Sequence, residues 1–404
     1  MQATTIFSMC SEQILLNGPG TRDPRKGFAG SHSKALPSSA NLTALAIFTD
    51  QLGLNTEPVV PMLRPFLHGP DAHAGNPDAA RYSHYYELAD RLFQRVDRGA
   101  AEIAVLPWDW NRVRDNPALV RPARRFIREN AAAGLRTLVF SVSDPEAALR
   151  EPQTILFRTS LIGRKLRADE HAMPAWGVFV PGLSRQNLSL RSFEPTPTVG
   201  FCGASYRSGF REPNWFRRNF RPWRCQYERV LPKKPGLRAH VIDRLRKASG
   251  IKTNIVERER FLAGALQKGE LNLDAYVIAR HEYVQNLLAS DYALCVRGGG
   301  NFSFRLYEAL QLGRIPLFIN TDCVLPWPEH IPWRSLCVWV EQAELDGLEE
   351  TLLAHHRRLG RGGFEDQQRQ CRAVWEDYLS PSGFFTTLRA WLQERGHCRN
   401  RPKT

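Results

Sequence analysis

The sequence predicts an α/β protein with two parallel, Rossmann-like sheets. Short apolar runs alternate with amphipathic helical patterns along most of the chain, the mark of strand–helix units. At 404 residues the chain is long enough for two ordinary domains. A charged stretch at 191–198, with prolines at 195 and 197, divides two such series and reads as the link.

The elements follow in order. Residues 1–40 are rich in Gly, Pro, Ser and charge and read as partly irregular, and 41–52 as a short helix or strand. An amphipathic helix over 82–98 would carry Leu88, Leu92, Phe93 and Val96 on one stripe. Residues 102–106 form a strand ending in Pro107-Trp108-Asp109-Trp110, and 122–133 a basic helix closed by Gly134. Strands follow at 136–142, which runs into Asp144-Pro145, and at 155–161 and 176–180. The second series opens with a strand at 198–202. It continues with helices at 237–248 and 274–289, and a strand at 292–296. A helix at 304–312 and strands at 314–319 and 336–340 come next. Helices at 345–358 and 366–392 close the chain, the latter broken near Pro381 and Gly383.

Composition narrows the function. With 43% hydrophobic residues the chain can bury sizeable cores and is not a disordered polymer. No apolar run of about eighteen residues exists, so no membrane-spanning helix is expected. Residues 1–20 lack the basic and apolar regions of a leader, which points to a cytoplasmic protein. Eight scattered cysteines form no Cys-x-x-Cys pair or zinc-ligand spacing; Cys202 and Cys295 read as reduced core residues. The formal net charge of +14 suits an anionic substrate, an anionic membrane surface or nucleic acid. No known nucleic-acid module is present, and that partner is not expected.

One stretch carries chemistry. Residues 292–296 read as a buried strand, Arg297-Gly298-Gly299-Gly300-Asn301 as a glycine-rich loop, and Ser303 as the N-cap of the next helix. A strand feeding such a loop and a helix N-terminus is an anion site: the backbone approaches a phosphate closely and the dipole favours its charge. Arg305 and Glu308, three apart, share a helix face opposite Leu306, Ala309 and Leu310. Arg305 would hold a pyrophosphate and Glu308 would accept from ribose hydroxyls. The bland alternative is an Arg305–Glu308 ion pair on a solvated face. A second segment, 206–229, interleaves arginines with aromatics just after a strand end; Arg207 there is a further candidate for the phosphates.

These residues also resemble a known family. Arg297-Gly298, the Ser303-x-Arg305-x-x-Glu308-Ala309-Leu310 core, Gly313-Arg314-Ile315-Pro316 and Leu325-Pro326 look like the exostosin family, glycosyltransferase family 47. Tyr283-x-x-x-Leu287-x-x-Ser290 fits the preceding helix, and the strong match spans 283–333. The loop here reads Val-Arg-Gly where the animal and plant pattern has Pro-Arg-Gly.

The resemblance implies a GT-B fold: two Rossmann-like domains facing a cleft, with the C-terminal helix crossing back. It places an acceptor-side domain at 1–194, a donor domain at 195–371, and a helix with a basic tail at 372–404. It implies inverting transfer from a nucleotide sugar to a glycan or lipid-linked glycan of a surface polysaccharide, by a bacterial-type cytosolic member. Peripheral contact with an anionic membrane would suit the charge. No cofactor is expected: the chain has no Asp-x-Asp motif, which agrees with metal independence. The rival is a non-catalytic nucleotide- or glycan-binding protein of the same fold.

A general base should come from the first domain. Asp109, after the 102–106 strand, is the first choice. Asp144 is the second, although Asp-Pro reads more naturally as a helix N-cap. His171 is the third.

Overall fold

The computed structural model describes residues 43–50, 59–67, 79–142, 144, 149–205, 236–267 and 270–399. The segment 206–229, Arg207 included, lies outside the described residues.

The first sheet has six strands: β1 (Leu45–Phe48), β2 (Phe93–Arg95), β3 (Ile103–Val105), β4 (Thr137–Ser141), β5 (Thr154–Arg158) and β6 (Glu170–Ala172). Their order is β2-β1-β3-β4-β5-β6, all parallel. Helices α1 (Ser83–Leu92) and α2 (Pro117–Ala132) connect them. The second sheet contains β7 (Thr198–Ala204) and β8 (Lys252–Arg258); a small hairpin, β9 (Leu266–Gln267) and β10 (Glu270–Leu271), lies apart from it. Strands β11 (Tyr292–Cys295), β12 (Ile315–Asn320) and β13 (Val338–Glu341) complete it in the order β13-β12-β11-β7-β8, again all parallel. Its helices are α3 (Leu237–Lys247), α4 (Leu273–Leu288), α5 (Phe304–Gln311) and α6 (Leu348–Val374).

The near-continuous apolar strands explain this build. The five residues of β4 and the four of β11 are all buried, as strands covered by helices on both faces must be.

The last helix, α7 (Pro381–Glu394), returns to the first sheet. Ser380 caps it through Gly383 N–H at 3.0 Å, with Pro381 at the first helical position. Its Phe385 ring lies 4.4 Å from that of Tyr85 on α1, and Phe384 lies 5.8 Å from Phe157 on β5. Arg389 donates to the Thr43 carbonyl before β1. The architecture is two parallel α/β units with a C-terminal helix crossing back, consistent with GT-B.

Three expectations change. The helix expected over 82–98 stops at Leu92, and Phe93 turns into edge strand β2, because the backbone at 93–95 pairs with β1. The basic helix starts at Pro117 behind an Asn116 cap and carries Pro122 within it. Residues 176–180 join no sheet. Their N–H groups go to side chains instead: Val178 N donates to Glu308 Oε1 at 2.7 Å and Val180 N to Gln311 Oε1 at 3.1 Å.

Candidate active site

In the second sheet the strand order reverses between β7 and β11, and ligands of open α/β sheets bind beyond the carboxyl ends of the strands at such a point. The two strands pair only at Tyr292 with Val199 and Ala293 with Gly200, then splay. Arginines fill the gap. Arg305, at the start of α5, donates from Nη2 to Cys202 O at 2.7 Å and from Nη1 to Leu294 O at 3.3 Å. Arg238, on α3, donates to Ala204 O at 2.6 Å and Val296 O at 3.1 Å. Carbonyls that a ladder would have paired are satisfied by two guanidinium forks. Arg305 also stacks over Phe201, 4.2 Å from its ring centre.

A cavity of about 500 Å³ opens above these strand ends. The glycines at 298–300, Ser303, Phe304, Arg305 and Glu308 line one side; Arg81, Asp144 and residues 176–178 line the other. Arg258, Arg280, Tyr276 and Tyr283 complete the wall. Among the described residues five arginines and two acidic side chains face the space, so the cavity favours an anion.

Glu308 is 7% exposed, not solvated. One carboxylate oxygen accepts from Val178 N–H and the other from the Tyr283 hydroxyl. Burial raises its pKa above the ordinary range, opposed by Tyr283, Val178 and Arg305. Gly177 is required here: a Cβ at this position would overlap Glu308 Oε1 and press the Phe304 ring at 3.2 Å. Gly177→Ala should therefore cost about 1–3 kcal/mol, the range for overpacking, read from the urea unfolding midpoint.

The other expected residues divide. Gly298, Gly299 and Gly300 line the cavity, and Ser303 occupies the N-cap position without making a side-chain cap bond. Arg297 is exposed and outside the lining. Asn301 brackets the loop. Its N–H donates to Ser160 Oγ at 2.9 Å, and its amide donates to Leu161 O at 2.8 Å and Asp322 O at 3.1 Å. That use of its polar atoms ties the loop to the first domain.

Asp109, the first choice for the base, has a structural role at its own position. It caps the short helix Trp110–Val113: Oδ1 accepts from Asn111 N at 2.8 Å and Oδ2 from Val142 N at 3.0 Å. Both oxygens are committed, and Asp109 is absent from the cavity wall. Asp109→Ala should lower stability by about 1 kcal/mol or more; Asp109→Asn, which keeps the cap oxygen but loses the second acceptor for Val142 N–H, should cost less, and thermal unfolding ranks the two.

His171 sits among aromatic rings, 4.7 Å from Trp391, where burial first and then His397 and Arg395 push its pKa down to about 4. It too is outside the cavity lining. Sequence reasoning missed Arg81, Arg238, Arg258 and Arg280, which come from four separate elements and share no local pattern.

Comparison with known proteins fits this geometry. Residues 217–354 match the Exostosin GT47 domain, and this span includes α3, α4, the glycine loop, α5 and β8–β13. Exostosin-1 homolog of Caenorhabditis elegans is 31% identical over 100 residues, 25% of this chain and 25% of the relative. A probable glucuronosyltransferase of Oryza sativa subsp. japonica is 36% identical over 70 residues, 17% of each chain. A probable beta-1,4-xylosyltransferase of Arabidopsis thaliana is 34% identical over 70 residues, also 17% of each. The matches span a quarter or less of these relatives' length. Much of the cavity wall lies within the matched span, and Arg81, Asp144 and residues 176–178 face it from outside that span.

Proposed function

We propose that this chain is an inverting glycosyltransferase that binds a nucleotide-sugar donor in the cavity above β7 and β11. The observation that carries the reading is the gap between those strands, closed by Arg305 and Arg238 beneath the glycine loop. A diphosphate placed there meets fixed cations and the N-terminus of α5. The same groups stabilise charge developing on the diphosphate as the bond to the anomeric carbon breaks. Relatives named as glucuronosyl- and xylosyltransferases support the reaction class.

The acceptor is a glycan or lipid-linked glycan of a surface polysaccharide, held on the first-domain side. The net charge of +14 supports peripheral contact with an anionic membrane on its cytoplasmic face. No helix among the described residues is long and apolar enough to cross a membrane.

The test is thermal stabilisation against UDP-, GDP- and dTDP-sugars. A ligand at about a hundred times its Kd adds about 2.7 kcal/mol, a clear rise in Tm. No stabilisation by any of them contradicts the reading. With the arginines balancing the diphosphate, EDTA should leave nucleoside diphosphate release unchanged; loss of release, restored by manganese or magnesium, contradicts that part.

A further inference from the structure

The transferase reading needs a group to take the proton from the acceptor hydroxyl. Three acidic side chains have been placed at or near the cleft. Asp109 has both oxygens bound to backbone N–H groups. Glu308 has both oxygens bound, to Val178 N–H and the Tyr283 hydroxyl, and is almost fully buried. Asp144 differs. It follows β4 at the carboxyl end of the first sheet, lines the cavity and remains exposed to it.

Asp144 also lies against the glycine loop from the opposite domain. A Cβ on Gly299 would stand 2.8 Å from Asp144 Oδ2, and one on Gly300 2.8 Å from Asp144 Cα. The Gly300 N–H donates to its carboxylate. Among the described residues no cation forms an ion pair with it.

We infer that Asp144 is the general base of the transfer, an inference that rests on the donor reading above. The acceptor hydroxyl gives its proton to an Asp144 carboxylate oxygen while its oxygen forms the bond to the anomeric carbon. The bond from that carbon to the diphosphate oxygen breaks, and its electron pair leaves on the diphosphate. The carboxyl then returns the proton to solvent. Partial desolvation at the cavity wall, where the carboxylate still faces the open space, raises the Asp144 pKa, with the Gly300 N–H opposing, which makes it a stronger proton acceptor.

The test uses the full chain and Asp144→Asn, whose amide oxygen can still accept from Gly300 N–H. Each is given whichever of UDP-glucuronate, UDP-xylose, UDP-glucose or GDP-mannose binds the wild type tightest. Nucleoside diphosphate release is followed with water as acceptor. Asp144→Asn should slow release about a hundredfold, keep Kd within about twofold, and lose the acid limb of the pH profile. Asp144→Glu, which restores a carboxylate, should recover part of the rate. Near-normal release by Asp144→Asn, or a loss explained by Kd alone, overturns the inference. A wild-type chain that binds none of the four sugars overturns the donor reading beneath it.

Discussion

Phe384→Ala should lower unfolding stability by about 3–5 kcal/mol, the cost of emptying a large buried aromatic site. Phe384 is fully buried on α7. Its ring lies 5.8 Å from Phe157 of the first sheet, 5.6 Å from Trp176 of the connecting segment and 5.3 Å from Trp327, which follows β12. One side chain therefore joins both domains and the segment between them. The measurement is the urea midpoint with its slope. A loss below about 1 kcal/mol would mean that α7 does not clasp the two units together. A broadened transition would show that they unfold separately once the clasp weakens.

Arg305→Ala should weaken nucleoside diphosphate binding by about 1.5–3 kcal/mol, the range for hydrogen bonds to charged groups. It cannot be silent for the fold. The change leaves the Cys202 and Leu294 carbonyls without their donor and removes the stack on Phe201. Stability should fall as well, by about 1–3 kcal/mol for each carbonyl left buried. Arg305→Lys separates the two effects, since it keeps the charge but loses the planar fork. Its affinity should fall less than its stability. Unchanged nucleotide affinity in both variants would remove α5 from the donor site.

The fold was legible where local chemistry and global position agree. Buried parallel strands such as Thr137–Ser141 and Tyr292–Cys295 announce themselves as apolar runs, and Ser380-Pro381 marks a helix start as well as a break. Residues 93–95 were not legible, because a helical stripe continues through Phe93 and Val96 and only the neighbouring β1 decides otherwise. In the site, the glycine loop, Arg305 and Glu308 are close in sequence and could be read together.

Their local roles could not be read. Both oxygens of Glu308 are bound by groups 130 and 25 residues away. Asn301 spends its amide on residues 140 and 21 positions away. Asp109 looked like a base because it ends a strand, and it is held by a neighbouring turn and by Val142 N–H on the adjoining strand end. Asp144 looked like a cap because Pro145 follows it, and only the apposition of two domains shows its carboxylate against the glycine loop.

The central claim is that the cavity between β7 and β11 binds the diphosphate of a nucleotide sugar. Calorimetric titration of the full chain with uridine and guanosine diphosphates tests it most directly. One of them should bind with one site per chain, more weakly to Arg305→Lys and equally well to Asp109→Asn. Binding of neither nucleotide, or binding that Arg305→Ala and Arg305→Lys both leave untouched, would contradict it.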